Sequence, residues 1–257
     1  MQINFSRKKL TLISLSDPCK AIIYGSLLGD GSLQLQKNYA NARFYIRHNQ
    51  VQEDYFLWKV NALQEIASDR SVQISEKSGY SLNKSLLFQS RALSQLTEIH
   101  QITHDHNRLS VQRRWLNHLT PLSLAVWWLD DGSLISNHRK GVLCTDSLDE
   151  KSVLLLARYL KVVWDVNAHV GPIVRHRQDR NYSQQAYYRL WLGTEELKKF
   201  LRIILPHVPA CMVRKVVLLY NDSEFQQRWI SEICERNPSI SENDIVRFLK
   251  EFKKRPQ

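Results

Sequence analysis

The chain has 257 residues, 36 of them Lys or Arg against 25 Asp or Glu, for a net charge of +11. Its 43% hydrophobic content, with 10% aromatics, is enough for a core and excludes a disordered polycation, and no run reaches the roughly 20 apolar residues of a membrane-spanning helix. The basic excess favours a polyanionic partner, nucleic acid or an anionic membrane surface, while Cys19, Cys144, Cys211 and Cys234 lack CxxC spacing and argue against structural zinc and a disulfide framework.

The first 16 residues hold Arg7, Lys8 and Lys9 and no acid, but lack an apolar stretch with a small-residue cleavage site. An organelle and a bacterial cytoplasm are equally compatible with them. AIIYGSLLGDGSL (21–33) follows, an apolar helix that stops on Asp30 between Gly29 and Gly31. SLQLQ (32–36) and ARFYIRH (42–48) alternate. Leu33, Leu35, Phe44 and Ile46 share one face, and Gln34, Gln36, Arg43, Tyr45 and Arg47 the other, which predicts a hairpin. QEDYFLWKVNALQEIA (52–67) spaces Phe56, Val60, Leu63 and Ile66 as an amphipathic helix over one sheet face. SVQIS and SLLFQSR flank the turn-rich EKSGYSLNK as a second hairpin, which carries Gln89 and Arg91, and ALSQLTEI closes the half as a helix.

HDHNRLSVQRRWLNHL (104–119) is expected to be a packed connector anchored by Trp115, with Leu109 and Val111. His104 and His106 have no third ligand nearby and read as connector residues, not zinc ligands. From LAVWWLDDGSL (124–134) the order recurs. GSLIS and GVLCT form a hairpin, DEKSVLLLARYLKVVW a helix, AHVGPIVRHRQ and AYYRLWLG strands, and TEELKKFLRIILPHV a helix. Asp131 stands 101 residues after Asp30, and Trp191 103 after Phe88, so an internal duplication is expected. The predicted fold is α+β, with pseudo-symmetric αββαββα halves joined at a two-helix interface. The boundaries are an N-terminal segment (1–17), a first half (18–103), a connector (104–120), a second half (121–220) and a helical tail (221–257), in which Ser241 three residues before Asp244 starts a helix.

An acid at the C-terminal end of a helix faces the negative pole of the dipole, which costs about 0.3–1 kcal/mol. Turn chemistry is the plain explanation, with Gly31 and Gly132 ending the helices at positive φ. Two copies, GDGSL and DDGSL, in matching places weigh against it. Two helices this apolar pack on each other, and Gly25, Ser26 and Gly29 allow close approach, although Val126 and Trp127 at the matching places break the symmetry. Their converging acids form a hard-cation site, which suits Mg²⁺ and in-line phosphoryl displacement.

IYGSLLGDG (23–31) and LAVWWLDDG (124–132) resemble the LAGLIDADG motif of homing endonucleases. LTPLSLAVWWLDDGS resembles the second motif of single-chain, two-motif members, and the resemblance covers roughly residues 15–220. It implies a monomeric pseudo-dimer whose motif helices form the interface and whose curved antiparallel sheets straddle the major groove of a long double-stranded DNA target. It also implies hydrolysis of one phosphodiester per strand with Mg²⁺ or Mn²⁺, leaving 5′-phosphate and 3′-hydroxyl ends. Asp30 and Asp131 would be the metal-binding acids, with the backbone carbonyls of Gly29 and Asp130 facing the metal. A Lys near the end of each half serves the family's site. CMVRKVV makes this Lys215, whereas in the first half the best match is Arg108, which cannot be a general base at neutral pH. DNA contacts are expected from Gln34, Gln36, Arg43, Tyr45, Arg47, Gln89 and Arg91, and from His138, Arg139, Lys140, Arg175, Arg177, Tyr187 and Arg189. The alternative is an intron-RNA maturase or non-catalytic nucleic-acid binder on the same fold, against which both retained acids weigh.

Overall fold

The computed structural model describes residues 14–75, 84–174 and 186–253. α1 (Asp17–Leu27) starts at Ser16, whose hydroxyl accepts from the Cys19 N–H, with Pro18 in the first turn. β1 (Gly31–Gln34), β2 (Arg43–Asn49), α2 (Glu53–Ala62), β3 (Val72–Ser75), β4 (Ser85–Gln89) and α3 (Ser94–Thr103) complete the first half. The second repeats the order as α5 (Pro121–Asp131), β7 (Gly132–Ile135), β8 (Lys140–Leu143), α6 (Glu150–Trp164), β9 (His169–Val174), β10 (Ala186–Leu192) and α7 (Thr194–Ile204). Both sheets are antiparallel with the same strand order, β1-β2-β4-β3 and β7-β8-β10-β9. Each half is therefore αββαββα. Between them, β5 (His104–Asp105) and β6 (Arg108–Leu109) form a small hairpin turning through His106 and Asn107 at φ 47° and 61°, and α4 (Arg113–Leu116) buries Trp115.

α1 and α5 pack on each other at the centre of the core. Seven consecutive residues of α5, Ser123–Leu129, are buried because α1 covers one side and α7 another, where Trp128 meets Phe200. The contact is unequal, as the sequence suggests: a Cβ on Gly25 would lie 2.8 Å from Val126 Cβ, and one on Gly29 2.5 Å from Asp130 Cβ. The positive-φ reading of the closing glycines is corrected. Gly132 is extended at φ −77°, ψ 148°, and a Cβ there would collide with the Trp128 ring, so close packing demands the glycine. Gly31 is likewise shut in, its Cβ position lying 2.7 Å from Ser26 Cβ.

The Phe88–Trp191 correspondence is also corrected. Gly31 pairs with Ile46 and Ile46 with Phe88, whereas Gly132 pairs with Leu143 and Leu143 with Leu190. Leu190 therefore matches Phe88, and Trp191 takes the place of Gln89 on the opposite face, because a one-residue slip reverses the side chain.

Two helices follow the second half. α8 (Ser223–Arg236) opens the expected helical tail at a start the sequence reading does not locate, and is capped by the Asp222 carboxylate, which accepts from the Glu224 and Phe225 N–H groups. α9 (Glu242–Lys253) starts at the expected Ser241–Asp244 box, each side chain accepting from the other's backbone N–H.

Candidate active site

α1 winds up through Leu28 and Gly29, whose N–H groups donate to the Gly25 and Ser26 carbonyls, and sets Asp30 at the entry to β1. α5 runs through Asp131 directly into β7. Because Gly29 lies against Asp130, the two helix ends meet side by side. The acids feel one another: burial first, then Asp30 and Asp130, push the Asp131 carboxyl up to about 7. Burial and then Asp130 raise Asp30, opposed by Lys59 and Lys215. Lys215 closes the 3-10 turn Ala210–Lys215. Its Nζ donates to the Gly132 carbonyl at 2.6 Å, and its own carbonyl accepts from Trp128 Nε1 at 2.9 Å. Burial and then Arg214 lower its pKa, while the three acids hold it up. The structure thus brings together Asp30, Asp131 and Lys215.

Arg108 is not in this group. It is exposed on the β5–β6 hairpin opposite Asp105, and the cations acting on Asp30 are Lys59 and Lys215. The side chain of Asp130 turns inward, away from a metal-ligand role. It is wholly buried, paired with Lys59 Nζ at 2.6 and 2.8 Å, and accepts from the Tyr55 hydroxyl at 2.7 Å and the Asp30 N–H at 3.3 Å. Asp30, His48 and Asp130 hold ligand-type atoms within 4.8 Å of one another. Lys59 already neutralises Asp130 there, so a metal at Asp130 would have to displace an ammonium. His48 is buried beside the pair, and burial followed by Lys59 lowers its pKa to about 4.

Lys59, Tyr55 and His48 went unread in the sequence, yet each left a trace. Lys59 lies one helical turn from Tyr55 and Phe56, a cation on the apolar face of α2, and His48 continues the buried Phe44–Ile46 face of β2.

Gln34, Arg43, Tyr45 and Arg47 share the outward face of the first sheet, where Gln89 pairs with Tyr45, and Gln36 is exposed just beyond β1. In the second sheet Lys140, Tyr187 and Arg189 lie on the corresponding face with the unanticipated Trp191, and Arg139 is exposed in the β7–β8 turn. Three expected contacts are engaged within the protein. Arg91 donates to the Glu65 carbonyl at 2.8 Å, and the His138 ring lies 4.7 Å from Phe252 and 6.1 Å from Phe248 of α9, with Nδ1 3.2 Å from the Val217 carbonyl. Arg189 is clasped in two 2.6 Å bonds by Asp146. Arg175 and Arg177 lie outside the described residues.

Comparison with known proteins follows the same lines. The profile of the LAGLIDADG DNA endonuclease family matches residues 20–200. Protein RecA of Mycobacterium gastri is 28% identical over 244 residues, 88% of this chain and 53% of that protein, so the chain spans about half the length of this relative. The DNA endonuclease I-ChuI of Chlamydomonas applanata is 24% identical over 221 residues, 79% of this chain and 96% of the enzyme. Among solved structures, the homing endonuclease I-WcaI bound to its DNA recognition sequence shares the fold at a TM-score of 0.67 and 17% identity, covering 80% of this chain and 88% of that one.

Proposed function

From the premise that the chain belongs to the LAGLIDADG DNA endonuclease family, we propose that it is a site-specific double-strand DNA endonuclease that hydrolyses one phosphodiester on each strand. The observation that carries this reading is the pair of acids at two abutting helix ends, both with pKa raised by burial, Asp131 further by Asp30 and Asp30 further by Asp130, with Lys215 beside them. Two partly desolvated carboxylates in mutual repulsion, on helix ends of negative polarity, favour a cation between them. Asp30 and Asp131 would hold Mg²⁺ or Mn²⁺, hard cations matched to oxygen donors, with the Gly29 and Asp130 carbonyls as further oxygens. When bound, the metal supplies an activated water and stabilises charge on the phosphate oxygens. Lys215, tied to Gly132, keeps a positive charge at the Asp131 side, and the outward sheet faces follow the DNA backbone. One chain supplies both acids, so it acts as a monomer.

The test is cleavage of a randomised-target duplex library in Mg²⁺, followed by sequencing of the cut ends. Asp30→Asn and Asp131→Asn each lower the cleavage rate by about two orders of magnitude or more, the scale of losing a principal electrostatic contributor, and leave DNA binding in Ca²⁺ intact. Unchanged cleavage in either variant overturns the role of that acid. RNA binding without any DNA cleavage overturns the nuclease reading.

A further inference from the structure

The two motif helices differ at one place that matters to the site. Gly29 and Asp130 each precede the motif acid, and the space above Gly29 is filled by Asp130. Only the second motif carries an acid there, and it reaches across the interface into the first half, to Lys59 and Tyr55 of α2.

An ammonium has three N–H donors and no lone pair. Lys59 directs donors to both Asp130 oxygens and lies 3.3 Å from His48 Nε2. Nε2 must therefore accept, which leaves the imidazole proton on Nδ1. Tyr55 and Phe56 fix the ring plane from its edges, at 5.3 and 6.1 Å between centroids. The His48 side chain is only 1% exposed; its Nδ1 makes no hydrogen bond among the described residues and faces Asp30 Oδ2 at 3.8 Å, with the Gln52 side chain as the ring's other polar neighbour. That gap is longer than a hydrogen bond, and a small turn of the carboxylate closes it, as unliganded sites tighten on assembly.

We infer that His48 is the positioning residue of Asp30. Lys59 and Asp130 set its tautomer so that Nδ1–H holds one carboxylate oxygen and leaves the other free for a ligand. The inference deepens the nuclease reading and rests on it. Among the described residues the second half has no such device. By strand register Thr145 stands where His48 does, and its buried hydroxyl is spent on the Tyr188 carbonyl at 2.5 Å. The two half-sites are therefore prepared differently, Asp30 by His48 and Asp131 by Lys215.

Two measurements test this. In metal-free protein labelled with ¹⁵N-histidine, long-range ¹H–¹⁵N spectra show His48 as the Nδ1–H tautomer. Replacing the ion pair as a unit, Lys59→Met with Asp130→Asn, shifts His48 toward Nε2–H. On a duplex with each strand labelled, His48→Leu slows the strand cut at the Asp30 half by about 10–100-fold relative to the other, the usual cost of losing an outer-shell partner. His48→Asn, whose amide N–H replaces Nδ1–H, restores that strand. An Nε2–H tautomer in the unaltered protein, or equal slowing of both strands, overturns the inference. If the unaltered chain cuts neither strand, the nuclease reading falls and the tautomer spectrum alone decides the state of His48.

Discussion

A Cβ at Gly25 would run into the Ser123 carbonyl and Val126 Cβ of α5, and the first of these belongs to the backbone. A side chain there cannot be absorbed by a rotamer change. Gly25→Ala should destabilise the protein by about 1–3 kcal/mol, the usual range for overpacking, measured by chemical denaturation. Adding Val126→Ala should recover little, since the Ser123 oxygen stays in place; full recovery would mean that Val126 alone sets the spacing. The same interface explains which site residues were legible. Asp30 and Asp131 announced themselves by a repeated ending, and Lys215 by its place late in the second half. Lys59 and Tyr55 act on Asp130 from 71 and 75 residues away, so only the meeting of the halves shows their purpose.

Among elements, the αββαββα order was readable, because alternation in the strands and helical spacing between them agree, whereas the strand order, which sets β4 and β10 inside their sheets, comes from the structure. Strand register was not readable either. The halves match at 101 residues between Gly31 and Gly132 but at 102 between Phe88 and Leu190, so the 103-residue match of Trp191 to Phe88 is one residue out, and Trp191 lies on the outward face. The bounds of α8 within the helical tail were not legible because its cap and apolar stripe are ordinary, and its purpose lies in tertiary contacts. Trp229 Nε1 donates to the Val216 carbonyl beyond Lys215, and Asn237, just past the helix, donates to the Leu205 and Val208 carbonyls. These tie the tail to the segment that carries Lys215. Asn237→Ala removes the side-chain donor of the Val208 carbonyl and one of the two donors of the Leu205 carbonyl, which keeps the Val208 N–H, and should cost about 1–3 kcal/mol. Amide exchange from Leu205 through Lys215 should quicken with it. Normal exchange in that segment despite the stability loss would show that the tail does not brace it.

At the scale of the molecule, a charge of +11 favours a polyanionic partner but does not say which cations meet it. The structure sorts them. Arg47 is exposed on the outward face of the first sheet, near Tyr45 and Gln89. Arg91 is bonded to the Glu65 carbonyl. Binding to duplex DNA releases counterions in proportion to the phosphates neutralised, so affinity falls log-linearly with salt. Arg47→Ala should reduce the steepness of that line by about one and weaken binding alike on all sequences, measured by titration in Ca²⁺ across a salt series. Tyr45→Ala removes no charge and should keep the slope. Arg91→Ala removes the same unit of charge as Arg47→Ala but should lower thermal stability and leave the slope unchanged, because its loss is felt at Glu65. Equal slope changes for the two arginines would mean that long-range charge, and not its placement on the sheet, carries the affinity, and the outward faces would then lose their claim to be the DNA surface.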